Sequence, residues 1–105
     1  MVNWKIMNAD SIIALIRACN PWNKGAVAKI NNQVIRLLDA VKLPGNSTMN
    51  KEPACVLAIE ENGITVSTIQ DEAILIRIIY AEEGFLSGNY LSRLGVTPGN
   101  HFELI

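Results

Sequence analysis

Arg17-Ala18-Cys19-Asn20-Pro21-Trp22-Asn23-Lys24-Gly25-Ala26 joins the one strongly amphipathic helical stretch of this chain to the first of a series of β-rich runs. Pro21 biases Asn20 away from helical geometry, so the helix is expected to stop near Cys19, and Asn tolerates the turn conformation required there. Trp22 follows that forced stop. A large indole between a helix end and a strand start is placed to close one end of a small core, and Gly25 lets the backbone turn into the strand.

Upstream, Ile12, Leu15, Ile16 and Cys19 fall at i, i+3, i+4 and i+7, one apolar stripe of a helix. Asn8 or Asp10 can accept backbone N–H bonds at its start, and Asp10 also suits the positive end of the helix dipole. Arg17 lies off the stripe, and its expected place is at the helix C-terminus facing water. Residues 1–7 read as a linker leading in from a preceding domain, which leaves 8–105 as the domain proper.

Downstream, Ala26 to Ile30 and Val34 to Lys42 flank the polar Asn31-Asn32 and read as a hairpin. The alternation falters at Leu37-Leu38, where a bulge would bend the strand as a small barrel requires. A fully buried strand would look the same. Residues 43–53 are rich in breakers and read as a loop. Ala54 to Glu60 and Ile64 to Ile69 flank Asn62-Gly63, a strong hairpin signal; Ile64 and Val66 are expected on a buried face, with Thr65 and Ser67 on a wet one. Ala73 to Tyr80 is β-branched almost throughout and reads as a central strand. Ser87 can cap a short helix to Leu94 that Gly95 terminates, and Pro98-Gly99 turns the chain into a last strand, His101 to Ile105. The expected fold is mostly β: a small antiparallel Greek-key β-barrel, OB-like, with one N-terminal helix and one short helix near the C-terminus.

A chain of 105 residues is one domain, able to bury roughly 65% of its unfolded surface. Hydrophobic residues make up 50% and charged residues 18%, below the usual ~25% charged, so apolar surface is expected to remain for a partner or a second copy. No apolar run approaches the ~20 residues of a membrane span, and a cytoplasmic chain is expected. Cys19 and Cys55 stand singly and read as buried free thiols, with a disulfide between them as the alternative. The net charge of -1 argues against a nucleic-acid partner, yet residues 1–53 carry +4 and residues 54–105 carry -5, an asymmetry that points towards a polyanion.

The stretch Ile12 to Asn31, "IIALIRACNPWNKGAVAKIN", resembles the start of the C-terminal domain of methionyl-tRNA formyltransferase, in which a helix runs through Asn-Pro-Trp-Pro-Gly-Ala into a strand. Asn20, Pro21, Trp22 and Gly25 are the motif residues that carry this most specifically. Val2-Asn3-Trp4 resembles the exit from that family's catalytic domain. Pro53 to Leu57 with Asn62 to Val66 resembles its central hairpin, and Asp71 to Ile74 its next strand start. Asn23-Lys24 stands where the family usually has one Pro, and Glu72 where it usually has Gly.

Chemistry within the chain is sparse. His101 has no Cys, Ser or paired-carboxylate pattern near it, Glu60-Glu61 and Glu82-Glu83 read as solvated acids, and no phosphate-cradling loop or metal-ligand spacing is present. No catalytic and no metal-binding residue is assigned. The resemblance implies that the catalytic residues and the site for 10-formyltetrahydrofolate belong to an N-terminal domain with no counterpart here, so the chain alone is not expected to transfer formyl groups. It also implies a barrel that helps bind initiator tRNA through its backbone for translation initiation. From their clustering on the helix and first hairpin, Arg17, Lys24, Lys29, Arg36 and Lys42 are the candidates for that contact. The alternative is an accessory or dimerising structural barrel of a related formyltransferase acting on sugar nucleotides or other amines, binding no RNA, which the pI of 5.7 suits.

Overall fold

The computed structural model describes residues 2–19, 25–43, 52–70, 72–81 and 84–103. Asn20, Pro21, Trp22 and Lys24 lie outside them, so the expectation for Trp22 finds neither support nor correction.

Helix α1 spans Ala9–Cys19. Asn8 caps it, its side-chain oxygen accepting from the Ser11 N–H at 2.9 Å, which satisfies one of the donors that a helix start leaves open. The buried stripe is Ala9, Ile12, Ile13 and Ile16, with Leu15 and Cys19 only half-buried. Burial is therefore centred about one residue nearer the N-terminus than the periodicity suggests, because the helix lies mainly against one long strand.

Strands β1 (Ala26–Ile30) and β2 (Gln33–Lys42) pair from Ile30↔Gln33 to Ala26↔Leu37. Asn31 and Asn32 between them have φ of 50° and 64°, the left-handed pair that a two-residue type I′ hairpin demands and that Asn tolerates. Gly25, with φ 93°, packs so closely that a Cβ there would strike the Leu37 carbonyl. β3 (Val56–Glu60) and β4 (Gly63–Thr68) form the second hairpin; the pair Glu60↔Gly63 makes Glu61-Asn62 its turn, one residue earlier than Asn62-Gly63 suggests. β5 (Glu72–Ala81) pairs along one edge with β2, and along the other first with β4 and then with β6 (Gly84–Ser87). The order β1-β2-β5-β4-β3, with β6 beside β5, is the Greek-key arrangement in which three hairpin-linked strands are flanked by a fourth reached through a long connection.

The expected bulge exists. Pairing slips between Leu37 and Asp39 and again between Asp39 and Ala40, so Leu38 on β2 and Arg77 on β5 are each an extra residue. The slip turns Arg77 and Ile78 outward in succession, and Arg77 Nε lies 2.6 Å from Asp39 Oδ2 across it.

The sheet is not closed strand to strand. Its edges are joined by the segment after the 3₁₀ helix Gly88–Leu94, which ends at a left-handed Gly95. Phe102 bridges Ile30, and His101 bridges Cys55; the Phe102 N–H donates to the Ala54 carbonyl at 2.9 Å and the Glu103 N–H to that of Lys29 at 2.8 Å. The last strand expected from His101 is thus two bridge residues, with Leu104 and Ile105 outside the described part.

The core holds Trp4, stacked on Phe102 with ring centroids 5.0 Å apart, together with isoleucines from α1 and from β1, β2, β4 and β5. The segment read as a linker carries Val2 and Trp4 into that core, and the Val2 N–H donates to the Val27 carbonyl at 2.9 Å. Ser67, expected on a wet face, is fully buried. Its hydroxyl donates to the Glu52 carbonyl and accepts from the Cys55 N–H at 3.0 Å, so it holds the entry to β3, where Ala54 adopts φ 68°. Cys55 is a buried free thiol, and Cys19 is free but only half-buried.

Candidate functional site

The five candidate cations do not form one patch. Arg17 is exposed in the last turn of α1. Lys42 ends β2 at the other end of the helix, where its ammonium lies 3.4 Å from Asp10 and 3.1 Å from Glu72. An eleven-residue helix is about 16 Å long, so Arg17 and Lys42 serve different ends of the molecule. Lys24 lies outside the described residues.

Lys29 and Arg36 do come together. In the β1–β2 register Lys29 faces Val34 and Val27 faces Arg36, so all four project from the same outward face, with Lys29 and Arg36 diagonal to each other. Lys29 is 3.6 Å from Glu103. Arg36 is half-buried and, on its other side, is opposite Tyr80 of β5.

That face continues across β5 into β6. Tyr80 pairs with Phe85, their rings meeting edge-on with centroids 5.1 Å apart. Phe85 is 68% exposed, Val34 60% and Ile78 42%. None of Val34, Ile78, Tyr80 or Phe85 follows from charge clustering. A signal was nonetheless present: Tyr80 and Phe85 stand symmetrically about Glu82-Glu83, the spacing of a cross-strand pair on a two-residue hairpin.

The Lys42 cluster has a structural role. Glu72, then Asp10, stabilise the charged ammonium and raise its pKa above 10.5, while Glu72 also accepts from the Ala9 N–H at 3.4 Å. Raising a lysine pKa on folding contributes stability that is fully present below the unfolded value and lost as pH rises through the folded one. Lys42→Met should therefore lower the urea midpoint at neutral pH, and the gap from the unaltered chain should close as the pH rises through the raised pKa of Lys42. A gap of constant size across that range would show that Lys42 acts through its aliphatic stem alone.

Other polar groups offer little chemistry. Among the described residues no three His, Cys, Asp or Glu side chains gather, and His101 meets Glu52 at 3.7 Å on the surface. Among them also, no helix is long and apolar enough to cross a membrane.

The family model described as "Formyl transferase, C-terminal domain" matches residues 1–86, which takes in α1, all six strands but the last residue of β6, and the Lys29–Arg36 face. No curated protein matches the chain.

Proposed function

The chain belongs to the formyl transferase C-terminal domain family, and from that premise we propose that it is the non-catalytic, tRNA-assisting domain of a methionyl-tRNA formyltransferase in the cytosol. A partner catalytic domain, which the family implies, carries 10-formyltetrahydrofolate and formylates the methionine. This domain helps hold the initiator tRNA by its phosphates. The observation that carries the reading is the convergence of Lys29 and Arg36 on one outward face. Lys42, held between Asp10 and Glu72, drops out of the contact set, and Arg17 is a separate point of contact at the helix end.

Each neutralised phosphate contributes roughly -0.7 to -0.9 to the slope of log K against log[salt]. The joint change Lys29→Ala and Arg36→Ala should accordingly flatten the slope for labelled tRNA by about 1.4–1.8 units. Lys42→Ala and Arg93→Ala should leave it unchanged. Absence of tRNA binding at the lowest salt, together with a stable dimer in sedimentation, would transfer the domain to the accessory, dimerising reading.

A further inference from the structure

We propose that Asn62 is a site of spontaneous covalent modification, at which the side-chain amide is displaced by the backbone nitrogen of Gly63 to leave aspartate or isoaspartate in the β3–β4 turn. This chemistry needs no RNA and stands apart from the tRNA reading above.

Hydrogen bonding of the side chains singles out the position. Among the described asparagines, Asn3, Asn8 and Asn100 accept from backbone N–H groups, while Asn31 and Asn89 donate to Asn100 and to the Glu61 carbonyl. Asn32 and Asn62 are left; both are exposed, and among the described residues no hydrogen bond holds either amide. The residue that follows separates the two. Asn32 precedes Gln33, whose Cβ crowds any attack by its own nitrogen and whose amide is tied to the Leu94 carbonyl. Asn62 precedes a glycine that the fold requires, because a Cβ on Gly63 would strike the Ile76 carbonyl. The least hindered nitrogen thus stands next to an unheld amide.

The Gly63 nitrogen gives its proton to hydroxide and bonds to Asn62 Cγ; the Cγ–Nδ2 bond breaks, and the nitrogen leaves as ammonia with a proton taken from water. Water then opens the cyclic imide at either carbonyl. In the folded chain Gly63 faces Glu60 in the pair that closes the ladder at the turn, so fraying of the tip alone frees its nitrogen. Opening at the side-chain carbonyl restores the backbone and leaves aspartate. Opening at the main-chain carbonyl leaves isoaspartate, whose backbone is longer by one methylene immediately before Gly63. Both products place a new carboxylate beside Glu60 and Glu61. Gly63 packs on Ile76 and near Gly88 where β4 gives way to β6, so the lengthened backbone displaces that junction and the aspartate form leaves it in place.

The test incubates the 105-residue chain at mildly alkaline pH and follows it by ion exchange, peptide mass spectrometry and methyl labelling with an isoaspartate-specific methyltransferase. A species with one further negative charge should accumulate, faster at higher pH. It should carry the mass gain of an amide-to-carboxyl exchange on Asn62 ahead of every other asparagine, and the methyl label on the same peptide. Asn62→Gln, which must close a larger ring, should lose that species and keep the urea midpoint. Asn62→Asp should match the unaltered chain in urea, whereas the purified isoaspartate form should unfold at lower urea. An unreacted Asn62 in the folded chain, when the same chain incubated in urea has reacted there, overturns the site, as does earlier reaction at Asn32, Asn46 or Asn50. An isoaspartate form as stable as the unaltered chain overturns the displaced junction.

Discussion

Trp4→Ala should lower the stability of the chain by about 3–5 kcal/mol, the range for emptying a buried aromatic site. Trp4 is fully buried and stacks on Phe102 with an interplanar angle of 27°. The position matters because two distant segments meet there. Val2 donates to β1 at Val27 and Glu103 donates to β1 at Lys29, so the Trp4–Phe102 stack lies where both cover the edge of the same strand. Truncating the indole would leave a cavity against Phe102, and with it the weakest closure of the sheet, two isolated bridges, would lose its apolar anchor. Trp4→Phe separates the contributions. It retains a stacked ring and removes an indole N–H that has no hydrogen-bond partner among the described residues, so its loss should be clearly smaller than that of Trp4→Ala. Urea titrations of the three proteins decide it: an unchanged midpoint in Trp4→Ala, or equal losses in both variants, would defeat the assignment.

Gly88→Ala should lower stability by about 3 kcal/mol or more, the upper end of the range for overfilling a packed site. The cause lies in how β5 changes partners. β4 pairs with its first half and β6 with its second, and the Ile76 carbonyl sits at the junction between Gly63 and Gly88. A Cβ on Gly88 would fall inside contact distance of that carbonyl oxygen and 3.0 Å from its carbon. Both are backbone atoms in the middle of the sheet, so no side chain can swing aside. Gly84 supplies the control, because a Cβ there meets nothing within 4 Å and only its φ of 103° opposes substitution. Left-handed strain at one residue is about 1–2 kcal/mol, so Gly84→Ala should unfold at a higher denaturant concentration than Gly88→Ala. The reverse order would mean that the junction adjusts freely.

By itself the sequence determined what depends on local chemistry. Asn31-Asn32 as a tight turn, the faltering alternation at Leu37-Leu38 and Gly95 as a helix stop each act over a few residues, and each is where the spacing places it, while of the two cap candidates, Asn8 and Asp10, the structure chose Asn8. The β-rich class and the formyltransferase resemblance follow from the same order of elements. Tertiary structure decided the rest, because it depends on residues far apart in the chain. Ser67 looks like a wet-face residue until the entry to β3 folds over it, and its burial is then satisfied by Glu52 and Cys55. β6 has only four residues, too few for a period, and exists because β5 extends past the end of β4. The cations show the same division most clearly: charge counting treats Lys29, Arg36 and Lys42 alike, but the antiparallel register sets the first two on one face, and the approach of α1 to β5 surrounds the third with carboxylates.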